Sequence, residues 1–311
     1  MSSRPVVEPA AASSERAMQG DAPRARPPGS RFSWGWIGVA PFFLFAFMFL
    51  LLPSLSIFIR SFEAVGGGFT LDNFRAIFTG RDFLNAYRVS LTISVITAVG
   101  GAVFGFLLAY AVILGGLPRF LRSFLLTFSG VASNFAGVPL AFAFVATMGN
   151  AGLVTRLLEN GFHIDIHAGG FTIYSIYGLS IVYMYFQFPL MVLIMAPALD
   201  GLKREWREAT ENLGGTSYHY WRYVAFPILL PSLLGTTILL FGNSFGAYAT
   251  AYAFSGSFIN LVTIVIGAQI QGDVLYNPGL GNALALGMIL IMALSMFGYL
   301  SLQRRAARWL R

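Results

Sequence analysis

Six long apolar runs, from which every charge is excluded, constrain this chain more tightly than any other feature. They cover residues 37–59, 89–114, 124–148, 173–199, 228–254 and 282–302. Each reaches the length of about 20 residues that a helix needs to cross a hydrocarbon layer about 30 Å thick. All 20 Lys and Arg and all 13 Asp and Glu lie outside these runs. In lipid, backbone polar groups must pair internally, and uninterrupted apolar runs of this length do so as helices. The expected fold is therefore an all-α, polytopic membrane protein with six spans. Composition agrees, because 11% charged residues against about 25% in ordinary domains cannot solvate a globule of this size. A soluble enzyme is excluded.

A seventh stretch, 259–270, is too short to span and reads as interfacial or re-entrant. Residues 1–30 are rich in Ala, Ser, Pro, Arg and Glu without apolar periodicity, and read as a disordered tail before a membrane domain at 31–311. The basic residues set the expected orientation. Fifteen sit in the N-terminal tail, in the loops at 115–123 and 200–227, and in the C-terminal tail. Five, namely Arg60, Arg75, Arg81, Arg88 and Arg156, sit in the alternate loops. The positive-inside bias then places both termini in the cytoplasm. A net charge of +7 distributed in this way is a topology signal and not a nucleic-acid surface.

The spans contain Gly101 with Gly105 and Gly242 with Gly246, at the spacing that lets helices approach closely in lipid. Pro139, Pro189, Pro197 and Pro231 are candidate kink positions. Polar residues inside the runs have to face the bundle interior or water. Gln187, Asn243, Ser244 and Tyr248 are the candidates for lining a path, with helix–helix hydrogen bonding as the alternative.

The loop at 200–227 concentrates charge: Asp200, Lys203, Arg204, Glu205, Arg207, Glu208, Glu211 and Arg222. Residues 202–213 are good helix formers, with Lys203 and Arg207 facing Glu208 and Glu211. Gly214 and Gly215 break the helix, and Thr216 or Ser217 caps a second one that should end before Pro227.

Within this loop Glu208-Ala209-Thr210, then Gly214, Val224 and Phe226-Pro227 resemble the EAA loop of ABC importer permeases. That motif runs E-A-A, three residues, G, nine residues, I, one residue, L-P. The spacing is intact here, and Thr210, Val224 and Phe226 depart from it in residue type. Within that family the chain is most similar to the spermidine/putrescine group. The resemblance implies the type I importer fold in a bacterial inner membrane. It also implies that the loop docks on separate ABC ATPase subunits, with Glu208 as the pairing carboxylate and Gly214 as the turn. A second permease subunit and a solute-binding protein complete the expected partners, and a polyamine is the expected solute.

No cofactor is expected in this chain, because ATP would be bound and hydrolysed by a partner. The only lysine, Lys203, lies outside any Gly-Lys-Ser/Thr sequence, so a P-loop is missing. An ion-coupled carrier or channel is the rival reading, weakened by the lack of an ionisable residue within the spans. His163, Asp165 and His167 have a spacing that suits zinc, but flanking glycines argue for a plain loop. His219 reads as an exposed surface residue.

Overall fold

The computed structural model describes residues 35–164, 166–168, 172–272 and 276–309. The tail expected to be disordered lies outside these residues. Among the described residues the chain is helical apart from turns and an isolated antiparallel bridge between Glu63 and Phe69. Two units are distinguished, residues 1–53 and 54–311. The first contains α1 (Gly35–Ala46) and the π turn Phe47–Leu51, from which the chain continues into α2 (Leu52–Arg60). The Phe and Leu side chains along this segment are exposed, as a lipid-facing helix requires.

The second unit is organised around α4 (Arg81–Leu114) and α8 (Ile176–Asp200). Glycine explains why these two pack so closely. A Cβ added at Gly101 would lie 2.8 Å from the Gln187 Cβ, and one at Gly105 would lie 2.5 Å from the Met191 Cβ. Lipid supplies no hydrophobic force between helices, so close backbone approach is what holds them. The second glycine pair behaves differently. A Cβ at Gly242 would meet only the flexible end of Met292, and one at Gly246 only its own helix. Spacing alone did not distinguish the two pairs.

Between α4 and α8 run α5 (Arg119–Asn134), α6 (Val138–Met148) and α7 (Leu153–Phe162). The third span, expected as one helix over 124–148, is broken at 135–137, where Gly137 takes φ +74°. Single-helix length and composition give Val138–Phe162 as the third candidate span. Yet α5 runs from Arg122, paired with Asp200 at 2.6 Å, up to Phe135 beside Tyr185, so α5 and α6 together cover the expected run. Pro139 sits in the first turn of α6, where its missing N–H costs nothing. It starts a helix and does not kink one. Pro189 and Pro197, by contrast, lie inside α8.

After α8 come α9 (Arg204–Asn212), α10 (Ser217–Tyr220), a π turn at Trp221–Ala225, and α11 (Phe226–Phe245). The fifth span also breaks, at 246–248, before α12 (Ala249–Ser255). The short apolar stretch forms α13 (Val262–Gln271), too short to span, as expected, and packed on α14 (Pro278–Trp309). The small helix α3 (Asp72–Thr79) lies against α14 and is tied down by Asn73, whose amide donates to the Ser61 and Glu63 carbonyls at 3.0 Å each.

The two breaks meet. The Gly137 N–H donates to the Thr250 Oγ1 at 2.8 Å, and α6 packs along α12. The Tyr183 hydroxyl donates to the Ala247 carbonyl at 2.8 Å, satisfying an acceptor that the second break frees. Phe135 packs edge-on to Tyr185, ring centres 6.2 Å apart. Both breaks therefore lie at the level of residues 183–185 of α8, about 22–26 Å along the helix from Asp200 at about 1.5 Å per residue.

Candidate coupling loop and translocation path

The loop between α8 and α11 is built almost wholly from local interactions. Two i,i+4 ion pairs, Arg204 to Glu208 at 2.8 Å and Arg207 to Glu211 at 3.1 Å, run along the exposed face of α9. Lys203 takes no part in them, contrary to expectation. Its ammonium lies 5.9 Å from the centre of the Trp206 ring. The Thr210 hydroxyl donates to the Trp206 carbonyl at 2.8 Å, so the departure from Ala at this position adds a helix-internal bond.

α9 ends in a Schellman motif. The Gly215 N–H donates to the Thr210 carbonyl at 2.9 Å and the Gly214 N–H to the Glu211 carbonyl at 2.9 Å. Gly214 takes φ +78°, the left-handed conformation expected of it. The same turn presents Leu213 with 89% of its surface exposed. An apolar side chain this exposed beside a left-handed turn is a candidate contact residue that the sequence reading missed. The signal was available: a Leu directly before Gly-Gly sits at the C-cap, outside the amphipathic face.

Beyond the turn, His219 is a capping residue and not merely a surface one. Its Nδ1 accepts from the Thr216 backbone N–H at 3.2 Å, filling the place that Glu or Gln takes in a capping box. The second helix does not stop before Pro227. It runs from Ser217 through the π turn into α11 as one helix, Ser217–Phe245. A proline inside an α-helix clashes with the carbonyl four residues back, here Tyr223, and the wider π turn at 221–225 relieves that clash. Val224 is half-buried at this turn, and Phe226 is exposed. Glu208, Ala209, Thr210 and Gly214 thus lie on one helix–turn unit, whereas Val224, Phe226 and Pro227 lie on the rigid helix that carries it.

The candidate path residues are not brought together. Gln187 is fully buried, and its amide donates to the Leu240 carbonyl at 2.9 Å, joining α8 to α11. Ser244 is buried and shares a 2.7 Å hydrogen bond with Thr97, joining α4 to α11. Both make helix–helix hydrogen bonds, the alternative weighed above, while the buried Gln187 Oε1 has no hydrogen-bond partner. Tyr248 is half-buried, with its ring stacked on Tyr252 at 5.5 Å. Asn243 alone of the four is exposed, and its side chain takes no hydrogen-bond partner among the described residues. Among the described residues no group of three His, Cys, Asp or Glu could hold a metal. His163 caps α7 in a left-handed conformation, and Asp165 lies outside the described residues.

An all-helical subunit with six candidate spans, in which a structured charged loop precedes the fifth, is the fold of ABC importer permeases. No protein-family model matches the chain. The sulfate transport system permease protein CysT of Salmonella typhimurium is 25% identical over 271 residues, covering 85% of this chain and 91% of its own. The molybdenum transport system permease protein ModB of Mycobacterium tuberculosis is 26% identical over 218 residues, 68% of this chain and 78% of its own. A chain of a bacterial ABC transporter involved in the import of the acidic polysaccharide alginate superposes with a TM-score of 0.68 at 14% identity, covering 87% of this chain and 94% of that one.

Proposed function

We propose that the chain is a permease subunit of an ATP-driven, binding-protein-dependent importer for a small oxyanion, and that the 200–227 loop couples it to a separate ATPase. The observation that carries the reading is the helix–Schellman turn–helix unit, which keeps the motif spacing from Glu208 to Pro227 and offers exposed charge together with Leu213. In this reading a second permease subunit and a solute-binding protein complete the path. The assembly sits in a bacterial inner membrane with both termini in the cytoplasm.

The solute class changes from the polyamine expected above. Sulfate and molybdenum permeases among the relatives favour an oxyanion. ATP-driven motion of the ATPases would reach the spans through the loop. α10, the π turn and α11 form one continuous lever, so a displacement of the loop is passed on without a flexible joint.

Two experiments test this. Glu208→Ala is expected to leave membrane insertion intact while weakening co-purification with the ATPase and ATP-driven uptake of sulfate into vesicles. Wild-type values for both would overturn the coupling role. Reporter fusions after Arg122, Tyr223 and Arg311 are expected to read cytoplasmic, and those after Gly67, Gly161 and Asp273 periplasmic. A cytoplasmic reading at Asp273 with a periplasmic C-terminus would mean seven spans and would move the loop's helix out of place.

A further inference from the structure

The two helix breaks are an expensive feature for a chain in lipid. Irregular backbone at membrane depth is tolerated only where protein buries it or where it lines a water-filled cavity. Here the breaks are partly sealed from inside, by Thr250 on the Gly137 N–H and by Tyr183 on the Ala247 carbonyl. Their outer side is open: Phe135, Ala136, Gly246 and Ala249 are exposed. Gly137 and Ala249 are neighbours across the junction, 3.9 Å from a Cβ built on Gly137 to that of Ala249, so the open edges belong to one surface.

Each break is preceded by an exposed asparagine. Asn134 lies three residues before Gly137, and its amide nitrogen bonds back to the Gly130 carbonyl at 2.9 Å, which leaves Oδ1 without a protein partner. Asn243 lies three residues before Gly246 and has no side-chain partner among the described residues. An amide without partners in hydrocarbon costs several kcal/mol, about 4–8 on a scale where nothing can hydrogen-bond. A half-paired amide at Asn134 and an unpaired one at Asn243, beside two open breaks, are costly against lipid.

We infer that the surface formed by the paired breaks is the wetted wall of the translocation path, and that the Asn134 and Asn243 amides contact a passing tetrahedral oxyanion. The inference rests on the permease reading and adds to it the face and the residues. Chemistry favours neutral amides in this role. A path has to release its solute as readily as it admits it, and a buried Arg or Lys would hold an oxyanion too firmly. The spans contain neither. Gln187 and Ser244, one layer further in, brace the helices that carry the wall.

The chain has no cysteine, so single-cysteine variants of this subunit can be read without altering it otherwise. Asn134→Cys, Asn243→Cys and the control Leu294→Cys, an exposed site on apolar α14, would be placed in the complete transporter in vesicles. Each would be treated with a membrane-impermeant, charged methanethiosulfonate, alone and with sulfate or molybdate, and modification of this chain read by mass. The two asparagine positions are expected to react about tenfold faster than Leu294→Cys, because the reactive thiolate forms only in contact with water. Sulfate or molybdate is expected to slow them and leave the control unchanged. Rates equal to the control would overturn the inference, showing that the breaks pack dry against the second subunit. Fast modification that neither oxyanion slows would overturn the contact role of the amides. ATP-driven uptake by the unmodified complex is measured alongside: its absence would count against the permease reading, while the difference in labelling between the two faces would stand by itself.

Discussion

The 200–227 loop and the paired helix breaks each carry a glycine at positive φ, for opposite reasons. At Gly214 the positive φ closes a Schellman motif whose partners, Thr210 and Glu211, lie within five residues. At Gly137 the positive φ starts α6, and the N–H it frees is satisfied by Thr250, 113 residues away. The loop is held by bonds between near neighbours in the chain. The breaks are a structure that only a folded bundle sustains, since in lipid each unpaired backbone group must find a partner elsewhere in the chain. Stability is therefore expected to depend on distant partners at the breaks and on backbone geometry at the loop.

Three substitutions would sharpen that contrast or break it. The largest effect is expected from Thr250→Val, which removes the acceptor for the Gly137 N–H and leaves a part-buried donor unpaired at a cost of about 1–3 kcal/mol. The thermal midpoint of the purified complex should fall, and Thr250→Ser should restore it. Equal stability of the Val and Ser variants would mean that the breaks hold without this bond. Gly214→Val should cost about 1–2 kcal/mol, felt locally, because a β-branched side chain is disfavoured at φ +78°. Stimulated ATPase activity should drop while the thermal midpoint of the spans hardly moves. Equal tolerance of Val and Ala at this position would show the turn to be ordinary. The smallest effect on stability belongs to Arg204→Ala. Its partner Glu208 is in an exposed i,i+4 pair worth about 0.3–0.5 kcal/mol, so the midpoint should stay within error. A large fall would show that the α9 ion pairs hold the fold as well as the loop.

Much of the loop was legible in the sequence because its signals are short-range. Helix formers, a Gly-Gly stop and a capping Thr state their own geometry. What was missed there followed from context: Lys203 turned to Trp206, His219 took the capping role, and the helix continued past Pro227 through a π turn. The third and fifth spans were less legible. Hydropathy sees residues 124–148 and 228–254 as uninterrupted, because a break at Phe135-Ala136-Gly137 or Gly246-Ala247-Tyr248 does not lower apolar content.

The sequence by itself determined that the chain is helical, that it lives in a membrane, how many apolar helices are long enough to span it, and where the charged loop with its left-handed glycine lies. Those properties follow from transfer free energies and backbone sterics, which act residue by residue. Tertiary structure alone decided which polar residues are internal braces and which remain unpaired. Gln187 and Asn243 are equally polar side chains in equally apolar helices. Only the packing of α4, α8 and α11 gives the first a carbonyl to bind and leaves the second exposed, because a hydrogen bond needs a partner at the right place and not merely a donor in the chain.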